Sequence, residues 1–212
     1  MPALKKIFGL SQPDTFTVAQ ACAITGVSPA QINQYIDRDL AGLDLVVAGA
    51  GERRIGVQGL LALRLVHDFA DTLTPLLRRE LVSKALASRR KTSVQLGDGK
   101  VSARIDTSRK GVTMGHKAYN TALTQVHTSD EIMGGEPCLK GTRISVYTLA
   151  GLLTEAGANE VKQAYPQVSD DQLAAAALYA KAHARKGRPK SVAARLEQPD
   201  IKPKRSRTQI IA

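Results

Sequence analysis

The chain has 212 residues, of which 43% are hydrophobic and 23% charged, as in an ordinary globular protein long enough for one large or two small domains. Aromatic residues make up only 4% and tryptophan is absent, which argues against a site that stacks single-stranded bases or sugars. The net charge of +11 favours a polyanionic partner or an acidic protein surface.

This positive charge is concentrated at the carboxyl end. From Arg185 onward there are nine Lys or Arg residues against Glu197 and Asp200, a net charge of +7. The first 184 residues carry 21 basic and 17 acidic side chains, a net charge of only +4. Prolines and few apolar residues follow Arg185, so we predict a flexible C-terminal tail over 186–212.

Metal, disulfide and membrane chemistry receive no support from the sequence. Cys22 and Cys138 lie far apart without ligand-like neighbours, which favours two buried thiols in a reducing cytoplasm over a zinc site or a disulfide. No apolar run approaches the roughly 20 residues of a membrane span. The four histidines lack ligand spacing, and no nucleophile, acidic cluster or nucleotide fingerprint is present. We therefore expect neither an enzyme nor a cofactor.

Two helix starts follow one another near the amino end, after a lead-in that we expect to be loosely ordered. Thr17–Gln20 and Ser28–Gln31 both have the capping-box pattern, and Gly26 between them is suited to ending the first helix. The second helix is predicted to run to about Arg38. Two β-segments, 43–47 and 53–55, then predict a hairpin beside the helices.

The middle of the chain predicts two helices and a second hairpin. Helical spacing begins near Val57 and restarts after Thr74-Pro75 as 76–87. Alternation between Thr92 and Met114, around a Gly-rich turn, predicts a hairpin of 94–96 with 101–105. We place a boundary between residues 110 and 125.

Three further helices are predicted toward the carboxyl end. Ser145 opens a helix that Gly157 stops, and a short helix over 159–164 precedes Pro166. A third capping box, Ser169–Gln172, opens a final Ala-rich helix. The fold class is therefore mainly α with small β-hairpins.

The two N-terminal helices and the hairpin after them resemble the winged helix-turn-helix of MerR-type proteins. The resemblance lies in the stretch TVAQACAITGVSPAQINQYIDRDL. That resemblance implies a DNA-binding domain over 15–90 whose second helix enters the major groove of operator double-stranded DNA. Amides suit adenine edges, arginine suits guanine, and wing arginines suit phosphates. The candidate DNA-binding residues are Gln31, Asn33, Gln34 and Arg38 on the helix, with Arg53 and Arg54 on the wing. The alternative is a solvated helix face on a packing unit.

One segment contains GGEPCLKGTRISV, followed by two helices, a YP turn and a last helix. This segment closely resembles a small bacterial family of unknown function, although Ser145 stands where that family commonly has proline. The resemblance implies a helix-turn-helix-like three-helix module over 126–185, common in VapB-like antitoxins, which dimerises and pairs with PIN-like ribonuclease toxins. Arg143 is expected to tie the glycine-rich turn to nearby carbonyls. We assign the last helix to dimerisation or toxin contact rather than to DNA reading.

The tail is predicted to neutralise such a toxin, because cations can pair with the carboxylates that hold the toxin's metal. The candidate toxin-binding residues are Ile201, Lys202, Lys204, Arg205, Arg207 and Ile210. A DNA-binding arm and an inert tail are the alternatives.

The sequence therefore predicts four parts: the DNA-binding domain, a hairpin connector over 91–125, the module and the tail. The expected function is a homodimeric antitoxin that represses its own operon. The alternative is a stand-alone MerR-like transcriptional regulator.

Overall fold

A computed structural model describes residues 15–38, 46–48, 53–88 and 90–185, and this part of the chain is mainly helical with small antiparallel sheets, which confirms the predicted fold class. Its helices are α1 (Val18–Thr25), α2 (Pro29–Asp37), α3 (Val57–Asp68), α4 (Pro75–Ala87), α5 (Asp106–Gln125), α6 (Val146–Glu155), α7 (Ala158–Ala164) and α8 (Asp170–Ala182). Its strands are β1 (Thr15–Phe16), β2 (Val46–Ala48), β3 (Arg53–Gly56), β4 (Ser93–Leu96), β5 (Val101–Arg104), β6 (Val126–His127) and β7 (Cys138–Leu139). None of the described helices is long and apolar enough to cross a membrane.

The first sheet has three strands in the order β1-β3-β2, all antiparallel. The predicted hairpin is present as β2 and β3, whereas β1 lies where the sequence predicts only the end of a loosely ordered lead-in. Phe16 pairs with Ile55 across β1 and β3, and both side chains are buried. The short added strand therefore ties the start of the fold to the wing.

The second predicted hairpin is present as β4 with β5, and Leu96 pairs with Val101 across its Gly-rich turn. Immediately after it, the structure departs from the sequence-based expectation. The sequence predicts alternation as far as Met114, but a 20-residue helix, α5, begins at Asp106. Its buried residues Ser108, His116, Tyr119 and Ala122 are mostly polar or small, so hydrophobic spacing does not reveal it.

Helix α5 crosses α1 at very short range. A Cβ added to Gly115 would lie 2.0 Å from the carbonyl oxygen of Ile24, closer than any side chain can approach. On the same helix, a Cβ added to Gly111 would meet nothing within 4 Å. Gly115 is therefore required by the helix crossing.

Helix α8 connects two apolar clusters. Leu173 and Ala176 belong to the cluster of the C-terminal module, while Leu178 and Ala182 pack with the cluster that includes α1, α3 and α5. Helix α8 therefore packs against α1, α5 and α6 of its own chain. Small residues permit this close packing on more than one side.

The end of α8 carries an aromatic contact with α5. The Tyr119 hydroxyl lies 3.2 Å from Nε2 of His183, and the His183 ring also stacks on Tyr179 with centroids 4.4 Å apart. Burial lowers the pKa of His183 and of His116, which meets Phe16 edge to face. Both rings therefore favour the neutral form inside the fold.

Candidate nucleic-acid interface

The turn between α1 and α2 is fixed by local hydrogen bonds. Gly26 adopts φ 76°, and its amide donates to the Cys22 carbonyl at 2.9 Å. The next residue, Val27, is buried. Both predicted capping boxes are present, at Thr17–Gln20 and Ser28–Gln31. From α3, Arg64 donates to the Thr25 carbonyl at 2.8 Å. The helix-turn-helix geometry thus rests on cap residues that the sequence identifies.

Helix α2 buries one face and exposes the other, as predicted. Ile32, Tyr35 and Ile36 are buried, whereas Gln34 and Arg38 are exposed and Asn33 is half-buried. With Gln31, which is also half-buried, four polar side chains suited to base edges lie on or directly after the helix that the resemblance assigns to the major groove. Their present hydrogen bonds decide which of them is ready to read a base.

Gln31 is largely committed to its own helix. Its side-chain oxygen accepts from the Ser28 amide at 3.3 Å and from the Ser28 hydroxyl at 2.8 Å. Reading a base with both amide atoms would require giving up part of the cap. The Gln31 side-chain oxygen is thus engaged in the cap of α2.

Arg53 joins the wing to α2. Its guanidinium donates to Asn33 Oδ1 at 3.0 Å and to Asp37 Oδ1 at 2.6 Å. The Arg53 and Asp37 side chains are 43% and 58% exposed, so water screens the ion pair and it adds about 0–1 kcal/mol. The sequence does not single out Asp37, which places a carboxylate within the face expected to meet DNA.

The two wing arginines point in different directions. Successive side chains of a strand alternate between faces, so Arg53 shares the face of buried Ile55 while Arg54 lies on the other. Arg54 is half-buried, whereas Arg53 is exposed. The structure thus brings Arg53 to exposed groups of α2, whereas Arg54 lies on the opposite face of β3.

A basic group from α4 extends this face at the end of α2. Arg79 donates to the Arg38 carbonyl at 3.5 Å. When the Gln34 amide oxygen faces Arg38, it accepts from Nη1 of the Arg38 guanidinium at 2.9 Å. Sequence reasoning misses Arg79, since only the packing of α4 brings it here from 41 residues away. We call Asn33, Gln34, Arg38, Arg53 and Arg79 the polar face.

The polar face continues into a cleft of 360 Å³. The cleft is lined by residues 17–20 at the start of α1, by Arg53, and by residues 182–184 at the end of α8. The C-terminal module therefore ends beside the wing, which no local sequence pattern indicates.

The glycine-rich turn of the module has a structural role. Gly134, Gly135 and Gly141 have positive φ values of 63°, 82° and 78°. The sequence predicts that Arg143 bonds to carbonyls of this turn, but Arg143 is exposed. Thr142 makes the bonds instead: its hydroxyl donates to the Leu139 carbonyl at 2.9 Å and accepts from the Ile144 amide.

A carboxylate fixes the end of the described chain against the module. Glu136 accepts hydrogen bonds from the Ser145 hydroxyl and from the Arg185 guanidinium. The same guanidinium lies over the Tyr147 ring, 4.5 Å from its centroid, and the Tyr147 hydroxyl donates to the His183 carbonyl at 2.7 Å. We call Glu136, Ser145, Tyr147 and Arg185 the exit cluster.

The predicted toxin-binding residues, 201–210, lie outside the described residues. Within 15–38, 46–48, 53–88 and 90–185, no group of three or more His, Cys, Asp or Glu side chains is arranged to hold a metal ion.

Comparison with known proteins gives a family match for one part of the chain. No curated protein and no solved structure gives a significant match. Residues 126–180, from β6 into α8, match the family described as "Protein of unknown function (DUF433)", which confirms the predicted family-level resemblance of the module for about a quarter of the chain.

Proposed function

We propose that this chain is a homodimeric repressor that binds operator double-stranded DNA through its MerR-like winged helix-turn-helix. The polar face carries the proposal: a capped second helix presents amide and guanidinium groups beside a wing arginine that is already oriented toward them. Amides and arginine can distinguish base edges in the major groove, and Arg53 and Arg79 can meet phosphates.

A pair of substitutions separates base reading from phosphate contact. Gln34→Ala is expected to weaken binding to the operator by about 1–3 kcal/mol and to relax its sequence preference. Arg53→Ala is expected to weaken operator and random duplexes alike and to lower the slope of log K against log salt by about 1. Fluorescence anisotropy with duplexes from upstream of the protein's own reading frame measures both effects.

Arg104→Ala is the matched control, because it removes the same charge from an exposed position on β5. Equal losses for Arg104→Ala and Arg53→Ala would show that only net charge matters. Unchanged binding in both Gln34→Ala and Arg53→Ala would overturn the proposed DNA interface.

The finer proposal is that the chain is a cytoplasmic antitoxin whose partner is a PIN-like ribonuclease. Its support is the GGEPCLKGTRISV motif and the module that follows, because such modules are common in VapB-like antitoxins. Co-expression with the protein encoded by the adjacent gene, followed by a ribonuclease assay, tests it. A repressor that binds DNA but neither co-purifies with nor inhibits the neighbouring protein would be the stand-alone regulator instead.

A further inference from the structure

A chain of hydrogen bonds connects α5 to the turn between α1 and α2. Asp68, the last residue of α3, accepts through Oδ2 from the Ser108 hydroxyl at 2.6 Å and from Arg64 Nε at 2.9 Å. Arg64 in turn donates from Nη1 to the Thr25 carbonyl at 2.8 Å. Ser108 is buried, and the Arg64 and Asp68 side chains are 32% and 22% exposed. We call Arg64, Asp68 and Ser108 the turn support.

The bond to the Thr25 carbonyl fixes the place from which α2 begins. Thr25 is the last residue of α1, and the final carbonyls of a helix have no partner within that helix. Only three residues separate Thr25 from Pro29, the first residue of α2. A shift of the Thr25 carbonyl therefore moves the start of α2, and with it the side chains of the polar face that this helix carries.

Asp68 sets the direction of the Arg64 guanidinium. An arginine side chain has many rotamers, and ordering it requires more than one contact. The bond from Nε to Asp68 holds the plane of the guanidinium, so that Nη1 of the same group faces the Thr25 carbonyl. Without this acceptor, the half-buried Arg64 side chain can turn toward water instead of the turn.

Ser108 gives Asp68 a fixed partner, because the start of α5 is itself held in place. The next residue, Arg109, donates to the carbonyls of Ala85 and Ser88, both at 2.6 Å, at the end of α4. The position of the Ser108 hydroxyl is thus set by the packing of α4 and α5. The turn support therefore includes a residue from the region that the sequence assigns to a connector.

We propose that Asp68 is a positioning residue for base reading: it orients Arg64 toward the Thr25 carbonyl and so sets the angle at which α2 enters the major groove. This inference rests on the proposed function, because the angle matters only where α2 reads DNA. The buried face of α2 holds this helix on the fold, but apolar contacts are non-directional. Reading requires side chains placed to within about 0.5 Å, which directional contacts such as the turn support provide.

The operator preference tests this role; it is the ratio of affinities for the duplex upstream of the protein's own reading frame and for a random duplex. In Asp68→Ala we expect operator affinity to fall about 10-fold, as for the partial loss of one or two base contacts, and random-duplex affinity to stay within about threefold, because phosphate contacts carry no sequence information. Asp68→Asn keeps the shape and one acceptor oxygen, so it should lose less. Asp71→Ala is the matched control: it removes the same charge from an exposed position and should leave the preference unchanged.

A double-mutant cycle separates positioning through Arg64 from an independent structural role. If Asp68 acts through Arg64, Arg64→Ala loses at least as much operator preference as Asp68→Ala, and combining the two causes no further loss. Losses that multiply in the double variant would show that the two side chains act separately, and would overturn the inference. An operator preference of Asp68→Ala within about twofold of that of the unaltered chain would overturn it as well.

Hydrogen exchange tests the turn in the absence of DNA. In Asp68→Ala, exchange at the amides of Gly26 and Val27 should become at least about fivefold faster relative to the Leu149 amide, which lies in the module and reports general loss of stability. Unchanged relative exchange at both turn amides overturns the inference, even if DNA binding is weaker. An unaltered chain without operator preference overturns the proposed function, and the reading role of Asp68 with it; that outcome is recognised before any substitution is made.

Discussion

The polar face and the exit cluster each place an arginine against a carboxylate, but the surroundings of the two pairs differ. The Arg53 and Asp37 side chains are 43% and 58% exposed. Glu136 is only 15% exposed, and it is shared by Ser145 and Arg185. An exposed pair exchanges easily with another anion, whereas a partly buried and shared carboxylate is costly to remove. The first pair suits a binding surface and the second suits a fixed support.

The largest effect is expected outside both pairs, at the crossing of α1 and α5. Gly115→Ala puts a Cβ into the Ile24 carbonyl, so the helices must separate, at a cost of about 3 kcal/mol of unfolding free energy. Urea denaturation measures the change. Gly111→Ala, on the same helix in open space, should instead stabilise by about 0.5–1 kcal/mol. Similar stability of the two variants would contradict the close crossing.

The next effect belongs to the exit cluster. Glu136→Ala leaves the Ser145 hydroxyl and the Arg185 guanidinium without their shared acceptor, and should lower the unfolding free energy by about 2 kcal/mol. Glu131→Gln, a neighbouring exposed position, is the charge control and should change stability by less than about 0.5 kcal/mol. If Glu136→Ala lowered the unfolding free energy no more than Glu131→Gln does, the exit cluster would contribute as little to stability as the exposed Arg53–Asp37 pair.

A smaller effect is expected from pH at the contact of α8 with α5. Burial lowers the folded-state pKa of His183 and His116 below the usual 6.5. The unfolded chain therefore binds protons first as pH falls, so stability is complete above about pH 6.5 and declines below it. We therefore expect a lower unfolding free energy at pH 6.0 than at pH 7.5. His183→Gln should reduce this loss, whereas equal unfolding free energies of the unaltered protein at the two pH values would contradict it.

The parts of the fold that the sequence predicts correctly are those fixed by contacts between residues close together in the chain. The capping boxes at Thr17, Ser28 and Ser169 form hydrogen bonds within three residues, so these helix starts can be identified directly. The start of α5 cannot be identified in this way, because the buried residues of this helix are mostly polar or small and its crossing with α1 is made at Gly115. The two-residue strand β1 is too short to show a period.

The candidate interface is predictable only where it depends on one helix. The exposure of Gln34 and Arg38 follows from the helical spacing of Ile32 and Ile36. The contact of Arg53 with Asp37 joins residues 16 positions apart, and Arg79 reaches Arg38 across 41. Such contacts depend on how the elements pack, which the spacing of residues in one element does not specify.

The smallest effect concerns the exposed pair itself. Asp37→Asn removes one negative charge from the polar face, and repulsion between unit charges roughly 7 Å apart in water is about 0.6 kcal/mol. Affinity for operator and random duplexes should therefore rise about threefold, while stability changes by less than about 1 kcal/mol because the ion pair is exposed. Anisotropy titrations measure the affinity, and Glu155→Gln makes the same charge change on the module as a control. If Asp37→Asn weakened binding, its carboxylate would be needed to orient Arg53, and the pair would be a fixed support like the exit cluster. A gain confined to Asp37→Asn would instead show that the Asp37 carboxylate repels the DNA from within the polar face.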